Sequence, residues 1–211
     1  LLIIIVVMPF GLSGQPVVWQ SGQGKFSVAE HVRVLEDPDG HLNLDDVLTP
    51  AIQDLFKLPK KDILSFGITD SYYWLGLEIE NLTQENLVIE LSQYALPVCE
   101  FYLQNDSGGW NVKRTGYSIP IKDRIWQDHF QVFSLKSGVN RIYFKVQSYS
   151  PPISVLVREE GEYAFSSIKL KIAYGVYLGI LVFVILNNLF LFFSLRSYIY
   201  LLYCLFVVMH I

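Results

Sequence analysis

Apolar and polar residues alternate in short runs through the N-terminal part of the chain, and turn residues separate the runs. Residues 73–80 are typical, because Leu75, Leu77 and Ile79 occupy every second position and Glu78 falls between them. This spacing places one row of side chains on the buried face of a strand and the other row toward solvent. The repeated pattern predicts an antiparallel β-sandwich.

The same alternation predicts further strands. Leu87, Ile89 and Leu91 are expected to face the core, whereas Glu90 and the other alternate positions of that run face outward. The remaining predicted strands cover residues 28–35 (an edge strand), 98–104, 110–114, 130–135, 141–147 and 153–158.

Two turn segments, residues 105–109 and residues 136–140, predict hairpins between the strands that flank them. In the last of these strands, Ile142, Phe144 and Val146 are expected to face the core. One short helix is predicted over residues 44–56, where apolar residues recur at helical spacing and Asp45 and Asp46 stand in the first turn.

The C-terminal part of the chain has a different composition. Residues 172–195 contain no charged side chain, and the run exceeds the roughly 20 apolar residues that cross a bilayer. We therefore expect a transmembrane helix over residues 168–195, with Arg196 after it. A second apolar run, residues 198–211, is too short to cross and is expected to be the start of a second transmembrane helix in a longer protein.

The first eight residues are all apolar, and Pro9, Gly11 and Ser13 follow them. This arrangement resembles the end of a secretory signal peptide, so residues 1–15 are predicted to be its remnant. A buried first strand is the alternative. A signal peptide would place residues 25–163 outside the cytoplasm as a separate domain and Arg196 in a cytoplasmic turn.

Charge separates the two parts of the chain. All 20 acidic residues lie at or before Glu162, and only 17% of all residues are charged. This distribution excludes a simple cytosolic enzyme and makes the lipid bilayer a partner of the C-terminal part. The 13 basic and 20 acidic residues before Ile168 also argue against nucleic acid as a ligand. Cys99 and Cys204 fall in different parts, so no disulfide is expected between them.

The sequence contains no recognisable catalytic motif. Its four histidines, among them His31 and His129, lack the spacing of metal ligands, and no nucleophile elbow or phosphate-binding glycine loop occurs. We expect no catalytic residues, no metal and no cofactor. Most carboxylates are expected to be solvated on outer strand faces.

Three segments of the N-terminal part occur in an order that resembles a known bacterial module: residues 34–40 (VLEDPDG), 66–75 (FGITDSYYWL) and 119–124 (IPIKDR). They are similar to the second type of extracellular domain in the seven-transmembrane receptors with diverse intracellular signalling modules (7TMR-DISM). In the C-terminal part, residues 175–179, 188–192 and 196–203 resemble the start of that family's seven-helix bundle. Gly76 and Asn187 depart from the family, which commonly has a basic residue and an aromatic residue there.

The resemblance implies a jelly-roll-like sandwich similar to carbohydrate-binding modules, with a small molecule or glycan as ligand. Aromatic rings stack on sugars, and Arg or His side chains bind hydroxyl groups. The ligand-binding candidates are Tyr72, Trp74, Arg124, Trp126, His129, Tyr149 and Arg158. For Trp74 a role in the core is favoured over ligand binding, and for Trp126 both roles stay open. The alternative for Arg124 is a structural salt bridge with Asp123.

Four residues of the first transmembrane helix are candidates for helix packing. Gly175 and Gly179 share one helix face and allow close approach of another helix. Packing within its own bundle is favoured, with homodimerisation as the alternative. Asn187 and Asn188 are expected to form interhelical hydrogen bonds, because unpaired amides are costly in lipid.

The main hypothesis is a receptor of the bacterial inner membrane, multi-pass, with an exported sandwich that senses a ligand. It would signal through a seven-helix bundle to a cytoplasmic output module. The alternative is a membrane-anchored, glycan-binding accessory or adhesion domain with no role in signalling.

Overall fold

The computed structural model of the protein describes residues 16–59, 63–93, 96–118, 120, 131–147 and 152–209. The predicted signal peptide, residues 1–15, lies outside the described residues. The chain divides into two compact units, Leu1–Glu160 and Gly161–Ile211.

The first unit is mostly β-sheet, which confirms the predicted class of this domain. Its described strands are β1 (Val17–Trp19), β2 (Phe26–Ser27), β3 (Arg33–Asp37), β4 (Tyr72–Asn81), β5 (Leu87–Leu91), β6 (Cys99–Gln104), β7 (Trp110–Thr115), β8 (Gln131–Leu135), β9 (Gly138–Gln147) and β10 (Val155–Glu159). Sheet A has the order β1-β4-β9-β6-β7, and β3 also pairs with β4. Sheet B has the order β2-β10-β5-β8. The strand pairs are antiparallel except β1 with β4, which is parallel.

The main core lies between the two sheets. The rows predicted to face inward on β4 and β9 are buried there, and the row on β5 meets them from sheet B. Phe101 of β6 stacks on Phe133 of β8 with ring centroids 4.2 Å apart, so aromatic packing joins the sheets directly.

The predicted hairpin of β8 and β9 is wrong, although both strands form. β8 pairs with β5 in sheet B, whereas β9 pairs with β4 and β6 in sheet A. The turn between them carries the chain from one sheet to the other. The buried Asn140 amide stabilises this crossing, because it donates to the carbonyls of Lys136 at 2.8 Å and of Gly138 at 3.0 Å. The hairpin of β6 and β7 forms as predicted.

A second core cluster covers the outer face of sheet A. Two short helices, α1 (Leu44–Val47) and α2 (Pro50–Gln53), lie in this region, where one helix was predicted. Pro50 causes the break, because it lacks an N–H donor and disfavours helical geometry at the preceding residue. The cluster, here called the outer cluster, consists of Leu35, Val47, Phe56, Trp74, Tyr102 and Tyr143, with further partly buried side chains around it.

The N-terminal region departs most from the prediction. Residues 28–35 do not form one strand, because Ala29–His31 is a 3₁₀ helix and β3 begins only at Arg33. The 3₁₀ helix lies between β2 in sheet B and β3 in sheet A, so the chain changes sheets there. The sandwich also includes β1, which begins before the predicted boundary at residue 25.

The second unit consists of α3 (Glu160–Leu195) and α4 (Tyr198–Val208). Helix α3 is long and apolar enough to cross a membrane, with a mean hydropathy of 2.4 over its most apolar stretch. It begins earlier than the predicted residue 168, directly after β10. Arg196 separates the two helices in a left-handed conformation (φ 51°) that is uncommon for residues other than glycine.

Candidate functional site

Four of the seven ligand-binding candidates, Arg124, Trp126, His129 and Tyr149, lie outside the described residues. Of the other three, Trp74 lies in the outer cluster, and Tyr72 and Arg158 lie on different sheets. Tyr72 points to the outer face of sheet A, and Arg158 to the outer face of sheet B. These two side chains therefore do not belong to one site.

Arg158 takes part in a buried ion pair. Its Nη2 atom lies 2.5 Å from a carboxylate oxygen of Glu90, whose side chain is only 1% exposed. Ser92 donates a hydrogen bond to the same carboxylate at 2.7 Å. The prediction that Glu90 is a solvated surface residue is therefore wrong, because a cation and a hydroxyl on the same face compensate for its burial.

The side chain next to Tyr72 is Lys145, which connects sheet A to the turn after β3. Its Nζ atom donates to the carbonyls of Gly40 at 2.8 Å and Leu42 at 2.7 Å and lies 3.6 Å from a carboxylate oxygen of Asp37. The ammonium group also lies 5.3 Å from the ring centroid of the fully buried Trp74. Trp74 is thus a core residue, which is the role that was favoured over ligand binding.

The family commonly has a basic residue at the position of Gly76, and in this chain a basic residue of the neighbouring strand β3 is paired with that position. Arg33 is paired with Gly76 in the β3–β4 register, and its Nη2 atom donates to the Gln53 side chain at 2.7 Å. Burial lowers the pKa of the Arg33 guanidinium from its ordinary value. Gln53 belongs to α2, so this part of the outer face is occupied by the protein's own helix.

A cleft of about 730 Å³ lies beside β3, near the point where Val34 forms an antiparallel bridge with Lys57. Aliphatic side chains form much of its lining, and Leu55, Leu58 and Ile63 are about half exposed there. The volume falls within the roughly 300–1,000 Å³ of ordinary ligand sites, and the apolar walls would exclude water from a bound molecule. We call this surface the β3 cleft.

Polar and aromatic groups meet on one wall of the β3 cleft. The Glu36 carboxylate accepts hydrogen bonds from the hydroxyls of Ser71 at 2.9 Å and Tyr73 at 3.2 Å. Phe66 stacks on Tyr73 with ring centroids 3.8 Å apart. Burial, together with the nearby Glu36 charge, raises the pKa of the Tyr73 hydroxyl. This hydroxyl therefore stays protonated and continues to donate to the carboxylate.

Three residues that line the β3 cleft, Glu36, Phe66 and Lys57, were not among the predicted ligand-binding residues. A signal for two of them was present, because Glu36 and Phe66 belong to segments 34–40 and 66–75 that carry the family resemblance. Their proximity depends on the pairing of β3 with β4, which the spacing along the chain does not reveal. Together they place an aromatic residue, an acidic residue and a basic residue in the lining of one cleft.

The second unit contains the four residues predicted for helix packing. Gly175 and Gly179 are exposed, and a side chain added at either would meet nothing within 4 Å. Asn188 donates to the Val184 carbonyl of its own helix at 2.8 Å, and its expected interhelical hydrogen bond stays a prediction. Asn187 is exposed. The two helices meet where Cys204 of α4 lies 3.5 Å from a carbonyl oxygen of α3.

The sequence matches the family of 7TMR-DISM extracellular 2 domains over residues 29–156, which include most of both sheets. The protein belongs to this family. Among curated proteins, none matches the sequence significantly. As the family predicts, this 7TMR-DISM extracellular 2 domain is followed by a helix apolar enough to span a membrane, which indicates a membrane protein with an exported domain.

Several solved structures resemble the 7TMR-DISM chain distantly. TmCBM61, solved in complex with β-1,4-galactotriose, shows 10% identity and a TM-score of 0.28, with 64% of this chain and 87% of that chain covered. The GH31 α-xylosidase of Xanthomonas citri shows 17% identity and a TM-score of 0.30, with 60% and 13% covered. The enzymatically active domain of tailspike protein 4 from bacteriophage CBA120 shows 14% identity and a TM-score of 0.27, with 64% and 19% covered. Likeness at this level supports no conclusion about function.

Proposed function

We propose that the protein is a bacterial membrane receptor whose exported β-sandwich senses a ligand. The observation that carries this proposal is the direct succession of a 7TMR-DISM extracellular domain and a helix apolar enough to span a membrane. Strand β10 ends at Glu159 and α3 begins at Glu160, with no loop residue between them. A change in the position of β10 would thus act directly on the first turn of α3.

The membrane helices are proposed to be the start of a seven-helix bundle in the inner membrane. In this arrangement Gly175 and Gly179 would face a neighbouring helix of the bundle, where small residues allow close packing. Asn187 would also face protein, because an amide exposed to lipid is unfavourable. The bundle would change between two states on ligand binding and act on a signalling module in the cytoplasm.

The proposed ligand is a carbohydrate, bound at the β3 cleft. Phe66 supplies an aromatic face for an apolar sugar surface, and Glu36 and Lys57 supply groups that bind hydroxyls. Arg124, Trp126, His129 and Tyr149, which lie outside the described residues, stay a prediction for a second part of the contact. Tyr72 and Arg158 stay separate predictions, because their side chains lie on the outer faces of different sheets.

The test is titration of the full chain in lipid nanodiscs with a panel of neutral oligosaccharides. Phe66→Leu keeps an apolar side chain against Tyr73 but removes the ring, and we expect affinity to fall about tenfold. Phe26→Leu is the matched control, because Phe26 is exposed on β2 in the other sheet. The Phe26→Leu variant should bind the oligosaccharides with the same affinity as the unaltered protein.

Trp126→Ala tests the loop candidate in the same titration. A loss of about tenfold with an unchanged melting temperature would assign part of the contact to Trp126. A folded protein that binds no saccharide of the panel would overturn the proposed carbohydrate ligand.

A further inference from the structure

A second pocket lies at the open edge of the sandwich, between β7 at the end of sheet A and β8 at the end of sheet B. It has a volume of about 240 Å³, and Phe101 and Leu103 contribute apolar surface to it. It does not share a lining residue with the β3 cleft. We call it the edge pocket.

Strand β7 presents polar side chains on its inward face at this pocket. Asn111 and Lys113 are paired with Leu103 and Phe101 in the β6–β7 register, and Phe101 belongs to the main core. The inward row of a strand is ordinarily apolar. Here sheet A has six described strands and sheet B has four, and the side chains of Asn111 and Lys113 remain exposed. They face the pocket instead of a packed core.

The edge pocket carries positive charge without a matching acid in its lining. Lys113 and Lys136 both line it, and no carboxylate of the described residues forms an ion pair with either ammonium group. Asn86 and Asn111 add amide groups that bind hydroxyls, and Ser134 also borders the pocket. Two cations, several neutral hydrogen-bonding groups and an apolar floor match a small hydroxylated carboxylate.

Two residues of the edge pocket also bind the first residue of α3. The Asn86 carbonyl accepts a hydrogen bond from the Glu160 backbone N–H at 2.9 Å, and the Ser134 hydroxyl donates to the Glu160 carboxylate at 3.4 Å. An anion in the pocket would repel the Glu160 carboxylate, which lies against Ser134 beside the pocket. Ligand binding and the attachment of Glu160 would therefore oppose each other.

We propose that the edge pocket binds a sugar acid and that this binding releases Glu160 from the end of the sandwich. The site is additional to the carbohydrate contact at the β3 cleft and uses different residues. By linkage, the factor by which the bound anion weakens the attachment of Glu160 equals the factor by which that attachment weakens the binding of the anion.

The experiment compares glucuronate with glucose, which has the same ring without the carboxylate, in calorimetric titrations of the full chain in nanodiscs of neutral lipid. We expect glucuronate to bind and glucose to bind at least about tenfold more weakly. Lys113→Gln and Lys136→Gln should each lower the glucuronate affinity about threefold, as expected for exposed charge pairs, and added salt should lower it further.

Arg114→Gln is the matched control. Arg114 follows Lys113 on β7 but lies on the outer face, where it pairs with Glu100 at 2.8 Å. Its replacement removes the same charge and should leave glucuronate affinity unchanged within a factor of about 1.5. Glu160→Gln should raise the affinity about threefold, because it removes the opposing charge.

The proposal is overturned if glucose binds as tightly as glucuronate, or if Lys113→Gln and Arg114→Gln have equal effects. An unchanged affinity in Glu160→Gln would refute the coupling to α3. These outcomes are independent of the β3 cleft, because neutral oligosaccharides and Phe66→Leu test that site separately. Circular dichroism of each variant confirms that the fold is kept.

Discussion

Tyr143 shows how a single buried polar side chain is accommodated on the outer face of sheet A. Its hydroxyl accepts a hydrogen bond from the Gln53 amide at 3.0 Å, and its ring packs edge-on against Phe56. Burial is the main cause that raises the pKa of the Tyr143 hydroxyl, partly offset by Gln53 and by the nearby Arg33. The folded protein thus favours the neutral phenol.

This raised pKa predicts a loss of stability in alkali. Above the ordinary tyrosine pKa of about 10, the unfolded chain releases the phenol proton while the folded protein keeps it, so the free energy of unfolding falls as pH rises. Tyr143→Phe loses the hydrogen bond of the hydroxyl, so its free energy of unfolding at neutral pH should be about 1 kcal/mol lower than that of the unaltered protein. Because it lacks the phenol, its free energy of unfolding should fall less steeply in alkali.

Urea unfolding of the full chain between about pH 8 and pH 11 measures this difference. Tyr117→Phe serves as control, because the Tyr117 side chain is more than half exposed. Equal slopes of stability against pH in Tyr143→Phe and in the unaltered protein would contradict the prediction.

At the scale of elements, strand faces follow from local alternation, and strand partners do not. Leu77 is 2% exposed between the sheets, as its position in the alternating run of β4 predicts. Its strand lies between β9 on one side and β1 with β3 on the other, so both edges of β4 are paired. A charge at this position would have neither water nor a counterion.

Leu77→Asp is therefore expected to destabilise the protein by at least about 4 kcal/mol and to prevent folding at 37 °C. Leu82→Asp introduces the same side chain just after β4, where Leu82 is 58% exposed, and should change stability by less than about 0.5 kcal/mol. Circular dichroism and urea unfolding distinguish the two. A folded Leu77→Asp protein would mean that the faces of β4 are assigned in reverse.

At the scale of the whole molecule, two features bear on the orientation in the membrane. Lys169 and Lys171 precede the apolar stretch of α3 and Arg196 follows it, so the positive-inside rule gives little preference. The extracellular family of the first unit favours an exported sandwich. The turn at Arg196 would then lie in the cytoplasm.

Reporter fusions test this orientation. An enzyme that is active only outside the cytoplasm should be active when fused after Glu162 and inactive when fused after Ser197. A cytoplasm-specific reporter at the same two positions provides the control and should show the opposite pattern. Activity only after Ser197 would reverse the orientation and remove the basis for an exported sensor.

The candidate site was predictable only in part. The family segments at residues 34–40 and 66–75 were identified from the sequence, but Glu36 and Phe66 become neighbours of one cleft only through the pairing of β3 with β4. Glu90 was predicted to be solvated, because its position on the alternating strand is an outer one. Its ion pair with Arg158 comes from a strand 68 residues further along the chain.

The sequence by itself determined the class of the first unit, the inward faces of the central strands, the long apolar helix and the family, since these follow from periodicity, hydropathy and motif order within short segments. The tertiary structure alone decided which sheet each strand joins. The turn before β9 is an example, because it can close a hairpin or cross between sheets with the same residues. That choice depends on contacts such as those of Asn140 and of the aromatic core, which form only when distant segments pack together.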